Sequence, residues 1–178
     1  MGLLFTILLS LVGLVTFLFL VALFINTEYV IEQKIVINKP KEDVFHYLKF
    51  LKNQERFSKW VMTDPNMKKN FRGTDGTVGF VYAWDSENKQ AGKGEQEIVG
   101  LTEGEKVDIE VRFERPFKNT AKTPFKVKTI SDQQTEVTWG MIGQNKYPMN
   151  LMTFIIKGML MKDLGISLNN LKTILENK

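Results

Sequence analysis

The spacing of apolar and polar positions divides the chain into two unequal parts. From Gly2 to Ile25 no side chain is ionisable, and the hydroxyls of Thr6, Ser10 and Thr16 interrupt a run built mainly of Leu, Phe, Val and Ile. Wound as a helix at 1.5 Å per residue, the run reaches roughly 36 Å, against a hydrocarbon core about 30 Å thick, so it predicts one transmembrane helix. A cleaved signal peptide carries a basic start, a shorter apolar stretch and small residues at its cleavage point. Neither a basic start nor a small-residue site in Phe24-Ile25-Asn26-Thr27 is present. The expectation is a retained anchor over residues 1–27, followed by one domain over residues 28–178.

Beyond the anchor, the period of the pattern changes several times. Tyr29, Ile31, Ile35 and Ile37 recur every second residue and predict a half-buried strand. Pro40 suits the first turn of a helix, with Glu42 and Asp43 at its positive end and Val44, Tyr47 and Leu48 at helical spacing. A second short helical piece is expected over residues 54–60, closed by Asp64-Pro65-Asn66. From Met67 to Lys146 the pattern is that of strands. Val107, Ile109, Val111 and Phe113 alternate with Asp108, Glu110, Arg112 and Glu114, and similar alternation joins Val78, Phe80, Tyr82 and Trp84, then Phe125 with Val127, then Val137, Trp139 and Met141. Strands with one apolar face predict an antiparallel, strongly curved sheet with an aromatic interior. The final segment, residues 149–177, returns to helical period. Met152, Ile155, Ile156, Met159, Leu160 and Leu164 give its first half a broad apolar surface, which the curling sheet is expected to cover, and Leu168, Leu171, Ile174 and Leu175 form a narrower stripe. The fold class is therefore α+β: a curved antiparallel sheet of about seven strands around a long C-terminal helix, preceded by one transmembrane helix.

Composition narrows the chemistry. The chain has 24 basic and 20 acidic side chains, all beyond the apolar run, with one His and no Cys. Thiol chemistry and Cys- or His-rich zinc sites are excluded, and no metal or cofactor is expected. The net charge of +4 is small and no reading motif is present, so nucleic acid is not an expected partner. No phosphate loop, nucleophile elbow or dinucleotide fingerprint occurs. Lys34, Lys39 and Lys41 follow the anchor, which places the domain on the cytoplasmic side by the positive-inside rule. Lys122, Lys126 and Lys128, with Lys68, Lys69 and Arg72, offer either ordinary wet strand faces or a cationic surface for anionic lipid.

Five stretches in order resemble the START/Bet v 1-like superfamily (SRPBCC), in particular its polyketide cyclase/dehydrase and lipid-transport members. They are Ile35-Val36-Ile37-Asn38-Lys39-Pro40-Lys41-Glu42-Asp43-Val44-Phe45, Phe57-Ser58-Lys59-Trp60, Gly73-Thr74-Asp75-Gly76-Thr77-Val78-Gly79, Ala91-Gly92-Lys93-Gly94-Glu95 and Thr135-Glu136-Val137-Thr138-Trp139-Gly140-Met141. The resemblance covers about residues 29–176 and implies a helix-grip fold with a hydrophobic tunnel between sheet and C-terminal helix.

Side chains expected near that space are Phe57, Trp60, Phe80, Tyr82, Trp84 and Trp139, with Met141, Met152, Ile155, Ile156 and Met159 completing an adaptable wall. The competing reading is that they simply fill it. Gln96 shares the inward face with Ile98, where its amide must bond Tyr82, the backbone or a ligand. His46 is read as a surface residue, and Glu95 and Glu97 as solvent-facing, so no catalytic residue is nominated. The expected function is membrane-anchored binding or transport of a hydrophobic small molecule (lipid, isoprenoid, fatty acid or polyketide), with the C-terminal helix or the loops at 85–90 and 114–121 opening as a lid. The alternatives are a polyketide cyclase/dehydratase-like enzyme and a non-catalytic interaction module. Ligand identity and oligomeric state stay open.

Overall fold

The structure, a computed structural model, describes residues 2–177. Helix α1 (Gly2–Ala22) is followed by strand β1 (Glu28–Ile37), helix α2 (Lys41–Leu48) and two single helical turns, α3 (Gln54–Phe57) and α4 (Lys59–Met62). Seven strands come next: β2 (Lys68–Arg72), β3 (Val81–Asp85), β4 (Lys93–Thr102), β5 (Lys106–Arg115), β6 (Asn119–Lys122), β7 (Phe125–Ser131) and β8 (Gln134–Gln144). Helix α5 (Met152–Glu176) ends the chain.

All strand pairs are antiparallel, in the order β1-β8-β6-β5-β4-β3-β2, with β7 also pairing β5 and β8. β6 and β7 therefore share one place in the sheet, broken at Thr123 and Pro124, and the eight segments fill seven strand positions. Proline has no N–H to give the ladder, so the interruption falls where the sequence puts one. Register shifts between β4 and β5 at Lys93/Gly94 and Ile98/Gly100 add local bend to the sheet.

Two local expectations are revised, and the lysine faces are found partly paired. The helical piece over residues 54–60 is two separate turns, because Ser58 adopts an extended backbone (φ −72°, ψ 118°) between them. Val78 precedes β3 and is exposed, since the left-handed glycines at 73, 76 and 79 keep that stretch turning. The lysine surface is partly neutralised: Lys126 pairs with Glu32 (3.1 Å), Lys69 with Glu55 (3.2 Å) and Arg72 with Glu95 (2.6 Å).

The largest revision concerns α5, whose two halves have opposite surroundings. In its second half Leu164, Leu168, Leu171 and Leu175 are buried in the core. Polar ties fix that half: the Lys59 N–H donates to Ser167 Oγ (2.9 Å), Lys59 Nζ pairs with Asp163, Asn170 donates to the Phe57 carbonyl (3.2 Å) and Lys172 Nζ to the Val36 carbonyl (2.6 Å). Glu176 accepts the Asn38 backbone N–H (2.6 Å), which holds its carboxyl below the usual range. The first half is not wrapped by the sheet: Met152, Phe154, Ile155, Met159 and Met161 are all exposed. The curved sheet closes on the leucine stripe and leaves the preceding turns overhanging.

Candidate functional site

The alternation of the strands builds a wall of rings. Register places Trp84 opposite Gly94 and Gly94 opposite Phe113, so the two rings approach across a residue with no side chain, centroids 6.1 Å apart and nearly perpendicular. A Cβ on Gly94 would lie 2.5 Å from the Arg112 carbonyl oxygen and 2.8 Å from the Trp84 ring, so this strand position suits glycine. The next row is Tyr82, Gln96 and Val111. On β8, Trp139 stacks on Phe125 (4.6 Å) and meets Phe57 and Trp60 edge-on at 5.9 and 5.6 Å. Across the sheet Tyr29 lies over Gly143, where a Cβ would meet its hydroxyl.

These rows enclose a cavity of about 300 Å³. The strands supply Tyr29, Tyr82, Trp84, Gln96, Val111, Phe113, Trp139 and Met141; α3, α4 and the residues around them add Gln54, Ser58, Trp60, Val61 and Met67; α5 adds Ile156, Met159 and Leu160. Met159 lines the cavity and is yet 56% exposed, so it marks the mouth. Of the residues nominated from sequence, Trp60, Tyr82, Trp84, Gln96, Trp139, Met141, Ile156 and Met159 are brought together at the cavity. Phe57 and Phe80 are not at its surface: both are sealed in the core, Phe57 behind Trp139 and Phe80 stacked on Phe71. Met152 and Ile155 point away from it, into the surroundings.

Sequence reasoning missed Gln54, Ser58, Met67, Gln90 and Thr123. None lies in a periodic pattern, and no sequence signal singles them out. Tyr29, Val111 and Phe113 were missed as well, although they lie on expected inward faces and their period was a signal that could have found them.

The polar groups of the cavity are neutral. Gln54 is 4% exposed and its Nε2 makes no hydrogen bond; the buried Trp139 Nε1 makes none either. Gln96 is buried with no side-chain hydrogen bond among the described residues, so of its expected partners neither Tyr82 nor the backbone is engaged; the Tyr82 hydroxyl donates to Glu55 Oε1 (3.2 Å). Burial, reinforced by the Glu55 carboxylate, pushes the Tyr82 phenol up; burial alone raises Tyr29. No Asp, Glu, His, Lys or Arg lies among the described lining residues. Glu95 and Glu97 face outward, where Arg112 binds them at 2.9 and 2.6 Å and Glu110 at 2.7 Å. These bonds, Glu97 foremost, raise the Arg112 pKa, and Arg72 with Arg112 holds Glu95 below the usual carboxylate range.

The loop at 85–92 is tied down. Trp84 Nε1 donates to the Ala91 carbonyl (2.9 Å), Ser86 Oγ donates to Asp64, and Arg115 reaches both Asp85 (2.5 Å) and the Ser86 carbonyl (3.3 Å). Against this, the overhanging turns of α5 hold one side-chain bond, Asn145 Nδ2 to Thr153 Oγ1 (2.9 Å). The first turns of α5 are thus held by fewer side-chain bonds than this loop.

No protein-family model matches the sequence, and neither does any curated protein. Solved structures do. The protein MLL2253 from Mesorhizobium loti superposes with a TM-score of 0.62 at 14% identity, over 84% of this chain and 98% of that one. Ara h 8.0201 superposes at 0.61 with 13% identity, over 85% and 99%. DynU16, from the dynemicin biosynthetic locus, superposes at 0.58 with 10% identity over 83% of this chain and 47% of its own. At such identities the likeness is one of architecture. Strand order, long terminal helix and these neighbours together give the chain a helix-grip fold of the Bet v 1 type.

Proposed function

We propose that this protein binds an uncharged, largely apolar small molecule in the cavity beneath α5 while α1 anchors it in a membrane, with binding or transfer of that molecule as its function. The observation that carries the reading is the cavity itself: about 300 Å³ of space lined by rings and thioethers and by amide and indole N–H groups that have no protein partner. Small-molecule pockets span about 300–1,000 Å³ and combine apolar walls with a few placed polar groups. At about 30 Å³ per water-sized group, the space takes a guest of roughly ten such groups, or the end of a longer chain. Unpartnered donors favour a guest with an acceptor such as a carbonyl or ester oxygen, and the absence of a lining cation disfavours a carboxylate.

Membrane anchoring is supported by α1. Its 21 residues reach about 32 Å, and its apolar window has no part buried against the domain, unlike a core helix. Asn150, itself buried, donates from Nδ2 to the carbonyls of Ala22 (2.7 Å) and Ile25 (2.9 Å), bonds a cleaved chain would lose. We assign residues 1–27 to the anchor and place the remaining domain on the cytoplasmic side, in keeping with Lys34, Lys39 and Lys41.

The test is to purify the full chain in lipid nanodiscs, extract it with organic solvent and compare its small molecules by mass spectrometry with those of empty discs. An apolar, uncharged compound enriched with the wild type and missing from Ala91→Trp, which fills the cavity from its rim, is the expected result. No enrichment in the wild type removes the reading.

A further inference from the structure

We propose that the overhanging first half of α5, Met152 to Met161, lies in the membrane interface and forms a bilayer-facing portal to the cavity, so that the guest enters from the lipid layer. The inference rests on the anchored-binder reading above. Its starting point is the unsatisfied exposure of this segment: Phe154 and Ile155 are 71% and 70% exposed, beside exposed Met149, Met152, Met159 and Met161. Patches of that kind on soluble monomers mark interaction or membrane sites.

Continuity with α1 identifies the occupant. Asn150 fastens the start of α5 to the last carbonyls of the anchor, and the Tyr147 ring lies 6.2 Å from that of Phe19. Phe19 is three residues inside the helix end, about 4.5 Å deeper at helical rise. With α1 in the bilayer, Tyr147 therefore sits at the level where tyrosines gather, the headgroup boundary. The apolar turns that follow begin at that level.

Charge agrees. Between Glu136 and Asp163 no acidic residue occurs, while Lys146, Lys157 and Lys162 are exposed and pair with no carboxylate among the described residues. Lysines beside apolar side chains extend their ammonium groups to phosphates while their stems stay in the apolar layer. Anionic lipid is thus the matching surface. The opposite side of the same helix closes the cavity through Ile156 and Leu160, and Met159 belongs to both surfaces. A guest passing Met159 moves between lipid and cavity without crossing water.

The chain lacks cysteine, so single cysteines can report depth. The full chain carrying an environment-sensitive fluorophore at Phe154→Cys, or at Asn169→Cys in the second half of α5, is placed in phosphatidylcholine vesicles with and without phosphatidylglycerol and quenched by nitroxide-bearing lipid. Quenching at position 154 is expected to exceed that at 169 by about threefold or more, and to rise with phosphatidylglycerol. Equal quenching at the two positions overturns the proposal. A second arm follows transfer of N-phenylnaphthylamine, an uncharged apolar probe, from vesicles to Phe154→Asp. Slower transfer than in the wild type, by about tenfold, with unchanged equilibrium binding in detergent, supports a portal; unchanged transfer overturns it. Failure of the wild type to bind the probe in detergent counts against the cavity reading instead, and leaves the depth measurement to judge the docking.

Discussion

Replacing Gln54 by Leu separates a binding residue from a structural one, because the two roles give effects of opposite sign. Gln54 is nearly fully buried at the cavity wall and its Nε2 has no partner. A buried donor left unmade costs about 1–3 kcal/mol, and an apolar side chain of similar volume removes that cost. Cavity water recovers part of it, so the lower end, about 1 kcal/mol, is the expected gain in the empty protein. For a chain of this size, that corresponds to a rise in Tm of about 2–4 °C, read by calorimetry in nanodiscs. The same substitution withdraws a donor from the guest. A neutral hydrogen bond is worth about 0.5–1.5 kcal/mol, so affinity for an uncharged, acceptor-bearing guest should fall about two- to tenfold by equilibrium dialysis. A Gln54→Leu protein that melts lower than the wild type, with affinity intact, would refute the reasoning and make Gln54 a structural residue.

Other expectations follow from the fold. Leu168→Ala, in the packed half of α5, should cost about 2–5 kcal/mol in thermal unfolding, whereas Phe154→Ala in the overhanging half should stay within about 0.5 kcal/mol; comparable losses would mean the helix is packed along its whole length. Glu95 has a depressed pKa from Arg72 and Arg112, so its contribution is present above the unfolded-state value and is lost as pH falls through the folded one. Glu95→Gln should therefore be less stable than the wild type at neutral pH, by no more than about 1 kcal/mol because the pair is part-exposed, and the gap should close in acid; a gap that widens there contradicts the assignment. Asn150→Ala should speed proteolysis between residues 22 and 28 in nanodiscs, since two carbonyl contacts holding that link are gone.

How much of this was legible in the sequence depends on what periodicity encodes. Alternation in β5 and β8 placed Val111, Phe113, Trp139 and Met141 correctly, because a strand's two faces admit no third orientation. The same logic failed within the short helical turns. Phe57 and Trp60 are three residues apart and would share a helix face, but the extended backbone at Ser58 resets the rotation, so one ring backs the cavity and the other lines it. In α5, an apolar stripe states that a face leaves water without stating what covers it; sheet and lipid produce the same pattern. Gln54 and Ser58 were invisible for another reason, as polar residues in a short turn carry no period at all.

The wall of rings has an optical consequence. Trp60, Trp84 and Trp139 are the only tryptophans of the chain, and all three border the same hollow. Tryptophan emission of the unlabelled protein, excited selectively at wavelengths that tyrosine does not absorb, thus originates at the surface a guest would touch, and the native chain already contains its own occupancy gauge.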